Sequence, residues 1–195
     1  LIYSSNGLMR DDLRVNNVIP LTEPYFQIAQ NGNLFFVRPD FISSETTTNT
    51  VLSVSGNNAI VDWVFIELRD PSNYNTILHT KCALIQRNGS VVESTDGVSP
   101  LSFSNMTKSS YYIAIKHRNH LGIMTASPIG FNQATVSFDF SNATSSSIWN
   151  SQPMYDGNEQ ILNPNGTYAL WGGNTNLDNK IKYAGTNNET SFIFY

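Results

Sequence analysis

Apolar and polar side chains alternate most cleanly along Tyr111-Tyr112-Ile113-Ala114-Ile115-Lys116, the pattern of a β-strand with one drier and one wetter face. That strand runs out into His117-Arg118-Asn119-His120 before Gly122 lets the backbone turn, so a polar, hydrogen-bonding corner is expected at its end. The stretch Ala59 to Arg69 is largely apolar on both parities. Val61, Trp63 and Phe65 should project to one face and Ile60, Val64, Ile66 and Leu68 to the other, which predicts a central strand covered on both sides. Thr76 to Arg87 and Ser90 to Ser94 flank Asn88-Gly89, a pair that favours a type I′ hairpin because both central residues then take positive φ. Leu34 to Val37, Thr50 to Val54, Leu101 to Phe103, Ile123 to Ala126 and Ala134 to Phe140 read as further short strands. Eight or nine strands at this spacing predict an all-β fold, an Ig-like antiparallel β-sandwich with a small loop-rich appendage at its C-terminal end.

Punctuation divides the chain into three parts. Residues 1–25 carry Pro20 and Pro24, which favour an extended arm lying along the domain. Residues 26–140 hold the sandwich. The polar run Ser141-Asn142-Ala143-Thr144-Ser145-Ser146-Ser147 marks its end, and the apolar residues beyond it are too few for a core of their own. Residues 141–195 are therefore expected to pack back on the sandwich as a loop-rich tail. Leu1-Ile2-Tyr3 and Phe192-Ile193-Phe194-Tyr195 have strand character with no adjoining turn. Unpaired strand edges template association, so these segments are the candidates for pairing with the sandwich or with a neighbouring copy.

Composition narrows the partners. Only 13% of the 195 residues are charged, whereas Asn, Ser and Thr number 24, 22 and 16, so the surface is polar but mostly uncharged. A formal charge of -4 with 11 scattered Lys and Arg argues against nucleic acid. No run of about 18 apolar residues is present to span a membrane. The chain opens on Leu1 with no basic-then-apolar leader, which suggests a processed chain or a fragment of a longer one. Cys82 stands alone within Lys81-Cys82-Ala83-Leu84-Ile85, so no intrachain disulfide forms and its simplest role is a buried small hydrophobe.

Several groups invite a chemical reading. Gly173 to Tyr183 has the form of a degenerate calcium loop: Asn174, Asn176 and Asp178 alternate oxygen side chains and Lys180 stands next in the series. Only Asp178 brings a negative charge, so a metal-free loop of Asx turns is preferred, with no cofactor expected and calcium as the alternative. His117 and His120 have the spacing of a histidine pair, but zinc needs further ligands, and the structural corner is preferred. Asp11, Asp12, Asp62, Glu67, Glu93 and Asp96 supply carboxylates for a glycosidase pair, yet most stand beside Arg or in Gly turns, where ion pairing and loop capping explain them. Gly-x-Ser-x-Gly does not occur, and an enzyme is not expected. Trp149, Tyr155, Tyr168 and Trp171 are the candidates for stacking on sugar rings.

Blocks in order along the chain carry a resemblance. Gly7 to Arg14 with Ile19 to Tyr25, Ala59 to Arg69, Ala83 to Gly89, Asp96 to Pro100, Tyr111 to Thr125 and Tyr168 to Trp171 together resemble a module of large secreted surface proteins of Bacteroidota, many described as hemagglutinin-like. The resemblance implies export, commonly by type IX secretion with a separate C-terminal sorting domain, and display or release at the cell surface. The function expected is a non-enzymatic extracellular structural or adhesive module of a surface or filament assembly. Its partners are neighbouring protein copies or domains, with surface glycans as further candidates. A carbohydrate-binding module and an accessory domain of a secreted hydrolase are the alternatives.

Overall fold

The computed structural model describes residues 7–37, 39, 44–132, 135–151, 155–178, 180–182, 184–186 and 188–189. Three short helices, α1 (Asp12–Val15), α2 (Tyr25–Gln30) and α3 (Asn49–Leu52), precede the strands. Eight strands follow among the described residues: β1 (Ile60–Asp70), β2 (Asn73–Gln86), β3 (Val91–Val92), β4 (Ser110–Lys116), β5 (Ile123–Met124), β6 (Ile129–Gly130), β7 (Gln160–Leu162) and β8 (Tyr168–Leu170). The main sheet has the order β3-β2-β1-β4-β5, with β6 also pairing β4, and β7-β8 form a separate ribbon. Every pairing is antiparallel, in keeping with the alternating pattern, and the main sheet curls as a half-barrel.

β1 is buried along ten of its eleven residues, as its two apolar parities require. A register shift between Ile60 and Asp62 changes one detail: Ile60 joins Trp63 and Phe65 in the same core cluster, with Cys82, Leu84, Tyr25, Phe35 and Phe36. A bulge adds one residue to a strand and so reverses the side from that point. Tilted and edge-on rings of Tyr25, Phe36 and Phe65, with centroids 4.6–5.6 Å apart, seal that face. The opposite face packs Val64, Ile66 and Ala83 against Leu101, Phe103, Ile113 and Ile115. Each such side chain removed from water contributes about 1.5–3 kcal/mol, so β1 anchors both layers.

The N-terminal part is a clamp as much as an extended arm. Tyr25 is fully buried, donates its hydroxyl to the Trp63 carbonyl at 2.7 Å, and opens a helix; Trp63 Nε1 returns a bond to the Pro20 carbonyl at 2.8 Å. Proline is compatible with that helix because Pro24 precedes it. Thr50 to Val54 also departs from its strand reading: residues 49–52 are helical, and Thr48 Oγ1 caps them by accepting from the Val51 N–H at 3.3 Å. Leu34 to Val37 joins no ladder, although Phe35 and Phe36 are core. Residues 135–139 are likewise irregular.

The turns differ in type rather than in place. Gly89 has φ +90° whereas Asn88 is not among the positive-φ residues, and Gly89 N–H bonds the Gln86 carbonyl at 2.9 Å. The hairpin is therefore closed by three residues with glycine in the left-handed position, not by a type I′ pair. Asp70 pairs with Asn73 across Pro71-Ser72, so β2 begins three residues before the expected Thr76, and the surplus is absorbed by register shifts at Leu68, Arg69 and Asp70.

The tail lies against the sheet. Trp149 N–H bonds the Met124 carbonyl at 2.8 Å, Ala126 N–H bonds the Ser147 carbonyl at 2.9 Å, and Ala143 and Ile148 bury against Ile123 with Leu170 beside them. The proposed assembly segments Leu1-Ile2-Tyr3 and Phe192-Ile193-Phe194-Tyr195 lie outside the described residues.

Candidate functional site

The end of β4 forms a buried polar corner. His117 and His120 are 4% and 5% exposed, and Asp62 on β1 is 1% exposed. His117 Nε2 lies 3.0 Å from Asp62 Oδ2, and Arg118 Nη2 lies 2.7 Å from the same oxygen. Asp62 Oδ1 accepts from the Trp63 N–H at 2.8 Å. The backbone N–H of Asn119 donates to His117 Nδ1 at 3.2 Å, so that nitrogen is an acceptor and His117 carries its proton on Nε2, toward Asp62. His120 Nδ1, 2.8 Å from His117 Nδ1, must then be the donor between the two rings. The result is a single line, carboxylate to imidazole to imidazole. Burial and the neighbouring His117 ring push the His120 pKa down to about 2, so the His120 ring is neutral near neutral pH.

The tail closes this corner. Leu121 N–H bonds the Trp171 carbonyl at 3.0 Å, Gly173 N–H bonds the Asn119 carbonyl at 2.7 Å, and Asn174 Nδ2 reaches the His120 carbonyl at 3.4 Å. Gly172 pairs with His120, and a β-carbon there would meet His120 Nε2 at 3.3 Å. Glycine is what lets the strap lie flat against the ring.

A second polar group runs along the β1–β4 seam. Glu67 is 0% exposed and binds two cations: Lys116 Nζ at 2.6 Å on Oε1, and the Arg69 fork at 2.8 and 2.6 Å on Oε2. Lys116 also donates to the Phe35 carbonyl at 2.5 Å, and Arg69 Nη1 donates to the Tyr74 carbonyl at 3.0 Å. Burial pulls the Lys116 amine below its usual pKa, whereas for Arg69 the neighbouring Tyr155 and Glu67 outweigh burial and raise it. The Tyr155 ring lies 5.5 Å from the Arg69 guanidinium carbon, and its buried hydroxyl has no hydrogen-bond partner among the described residues. Charges at Glu67 and Arg69, on the parity of Trp63 and Phe65, were the sequence signal for this row; Lys116 became part of it only through the β4 register.

The remaining predicted residues are dispersed. Tyr155 is 2% exposed and packs with Ala114 and Met124, so no face of it meets solvent, and Trp149 lies half-buried between Tyr74 and Tyr112. Tyr168 is half-buried in β8, and Trp171, 42% exposed, is the aromatic of this set that solvent reaches best. In the calcium-type loop, Asn174 turns inward to the corner and is fully buried. Asn176 Oδ1 accepts from the Asp178 N–H at 3.1 Å and Asp178 Oδ1 from the Lys180 N–H at 2.9 Å, which are Asx turns. The other carboxylates are engaged too: Asp11 with Arg14, Asp12 with Arg10, Glu93 with Lys81 and Ser102, and Asp96 with Ser99. Glu23, Glu45 and Cys82, not singled out together by the sequence, each offer one ligand atom within 4.8 Å of one another. Glu23 Oε2 already caps α2 through the Tyr25 and Phe26 N–H groups and accepts from the Cys82 thiol at 3.3 Å. A surface groove of about 470 Å³ between α1 and α3 is lined by Val15, Ile19, Leu52 and neighbours, away from both polar groups.

Comparison with protein-family models, curated proteins and solved structures finds no match for this chain.

Proposed function

We propose that this chain is a non-enzymatic structural or adhesive module that works outside the cell, as part of a surface or filament assembly. The observation that carries the reading is the state of its acid–base groups. Asp62, His117, Arg118 and His120 bind one another, as do Glu67, Arg69 and Lys116, and Asp62, His117, Arg69 and Lys116 are bound to backbone groups as well. Groups paired in this way hold strands in place; a catalytic acid or base needs a valence directed at substrate. The largely uncharged Asn-, Ser- and Thr-rich composition suits contact with neighbouring copies or with surface glycans. In this reading the curled sheet and the layer of helices and loops across it form the body of an Ig-like sandwich module, and the resemblance to Bacteroidota surface proteins supplies the setting.

The test is a paired assay on the purified chain. Turnover is measured on panels of glycosides, esters and peptides, and binding is measured on a glycan array and by sedimentation over a concentration series. Saturable binding or self-association without turnover is the expected result. Any turnover that tracks the protein through purification overturns the reading, and a chain that neither binds glycans nor associates removes its adhesive part. Trp171 gives the carbohydrate version its one specific support. Glycan retention lost in Trp171→Ala, with the fold intact by circular dichroism, would assign that surface.

A further inference from the structure

We infer that the outer edge of β7 docks a second copy of this chain, the two β7 strands pairing antiparallel across a two-fold axis with Ile161 facing its own counterpart. This joint rests on the reading of the chain as part of an assembly and gives that assembly a surface. β7 spends one side of its backbone on β8: Trp171 N–H donates to the Glu159 carbonyl at 2.9 Å and Asn163 N–H to the Thr167 carbonyl at 2.8 Å, on either side of the Ile161–Ala169 pair. Alternation in an antiparallel ladder turns the N–H and C=O groups of Gln160 and Leu162 to the far side. Among the described residues no backbone group meets them there.

The terminal strands of the main sheet are closed against such pairing. Val92 of β3 bridges to Pro100, β5 is covered by the Ser147 to Trp149 segment, and Tyr168 of β8 donates to the Ser141 carbonyl at 2.7 Å. The part of β2 beyond β3 runs beside register shifts at Leu68 and Arg69, and such irregularities twist an edge away from further strands. β7 has none of these protections. From Gln160 to Asn163 it carries no charge and no proline, and Ile161 and Leu162 are 37% and 57% exposed.

The edge fits itself in one register. With the axis at Ile161, Gln160 stands opposite Leu162, every outward N–H and C=O of both residues finds a partner, and no like charges meet. An axis at Leu162 would set Gln160 against Pro164, which has no N–H. An axis at Gln160 would set Leu162 against Asn158, whose N–H already serves Asp156 Oδ1 at 2.9 Å. Trp171, 42% exposed, lies on the ladder face of Ile161 and diagonal to it, so pairing joins the two ribbons into one sheet with these side chains in a diagonal row. Ile181, 44% exposed, extends the apolar surface beside Gly173, its Cγ2 3.9 Å from where a β-carbon would stand. So short a strand buries less than the about 800 Å² per partner of a stable complex, so the joint is weak and suits copies already held close together.

Sedimentation of the whole chain from about 5 µM to about 1 mM reads the joint. The natural chain should move from monomer toward dimer as concentration rises. Ile161→Lys sets like charges face to face and should weaken that association about tenfold, and an equimolar mixture of Ile161→Lys and Ile161→Glu should restore it. Amide exchange followed by nuclear magnetic resonance on the natural chain needs no variant: Gln160 and Leu162 should slow with concentration, whereas Ile161, which faces β8, should not change. A natural chain that stays monomeric overturns the joint and leaves β7 to a strand of some other protein; glycan binding by that monomer would still uphold the adhesive reading. Dimers whose Gln160 and Leu162 amides exchange at an unchanged rate, or that a folded Ile161→Lys variant forms equally well, overturn the joint while the assembly reading stands on another surface.

Discussion

Glu67→Gln is the most telling single change. The substitution keeps the shape of the side chain and removes one negative charge from a site where Lys116 and Arg69 both rest on it, all three at most 6% exposed. Two cations are then left buried around a neutral amide. Removing one partner of a buried pair costs about 3–5 kcal/mol, against about 1 kcal/mol for an ordinary hydrogen bond, so the charge term decides the outcome. Lys116→Met works the other way. Glu67 keeps its two bonds from Arg69, the penalty that holds the buried amine below its usual pKa is removed, and the main loss is an orphaned Phe35 carbonyl, worth about 1–3 kcal/mol. The order expected is therefore Glu67→Gln well below Lys116→Met. The double variant should recover part of the loss, because the second change removes a cation that the first stranded. For a chain of this size each kcal/mol shifts the midpoint by about 2–4 °C, so Glu67→Gln should lower Tm by roughly 6–20 °C. Thermal and urea unfolding followed by far-ultraviolet circular dichroism give the three values. Lys116→Met costing more than Glu67→Gln, or a double variant no better than the sum of the singles, would refute the reasoning.

Tyr25→Phe deletes the donor to the Trp63 carbonyl in a fully buried place and should cost about 1–2 kcal/mol in urea unfolding; no loss would mean that this bond does not hold the clamp. Gly97 has φ +68°, and a β-carbon there would stand 2.6 Å from Val51 Cγ1. Gly97→Ala should therefore destabilise by about 2 kcal/mol, with part regained in the Gly97→Ala, Val51→Ala double variant if the clash is the cause. The fall of the His120 pKa to about 2 makes its share of stability complete above pH 6.5, the unfolded value, and lost as pH drops from there. About 2 kcal/mol should disappear between pH 6.5 and 5, read as the difference between the natural chain and His120→Asn, and a difference that grows with pH instead would contradict the linkage.

The sequence made the sheet legible where side-chain period alone determines structure. Ile60 to Leu68 and Tyr111 to Lys116 needed only alternation and burial to be placed, and both pair as neighbours. It failed where a short apolar run had two ways to bury itself. Thr50 to Val54 has β-branched residues, yet a threonine cap favours one turn of helix, and four residues carry too little period to distinguish them. Asn88-Gly89 showed where the chain reverses but not how, since the twist of β2 and β3 selects the turn that fits. The corner was legible as His117 to His120, whereas its partner Asp62 was hidden inside an apolar strand, where only the fold shows that it meets the histidines. Asn174 is the sharpest case. The alternating oxygen pattern suggested a loop of Asx turns, with calcium as the alternative, and Asn176 and Asp178 make such turns, but the tertiary fold turns the first member inward to the His120 carbonyl.

Buried charge also explains how so apolar a seam finds one alignment. β1 and β4 face each other through Ile66 with Ile115 and Leu68 with Ile113, so a slip of two residues would still set apolar against apolar and keep every side chain on its own face. Hydrophobic burial alone barely separates those registers. A two-residue slip of about 7 Å, however, breaks one polar group or the other: in one direction Lys116 moves opposite Trp63, farther from Glu67, and in the other His117 and Arg118 move away from Asp62. Charges stranded in the interior would cost several kcal/mol each, far more than the apolar contacts discriminate. Seven of the 26 ionisable Lys, Arg, Asp and Glu residues are buried among the described residues: Glu23, Asp62, Glu67, Arg69, Lys116, Glu159 and Glu189. In a chain with so few charges, an unusual share is thus spent inside, and the ion pairs among them hold β1 and β4 in one register.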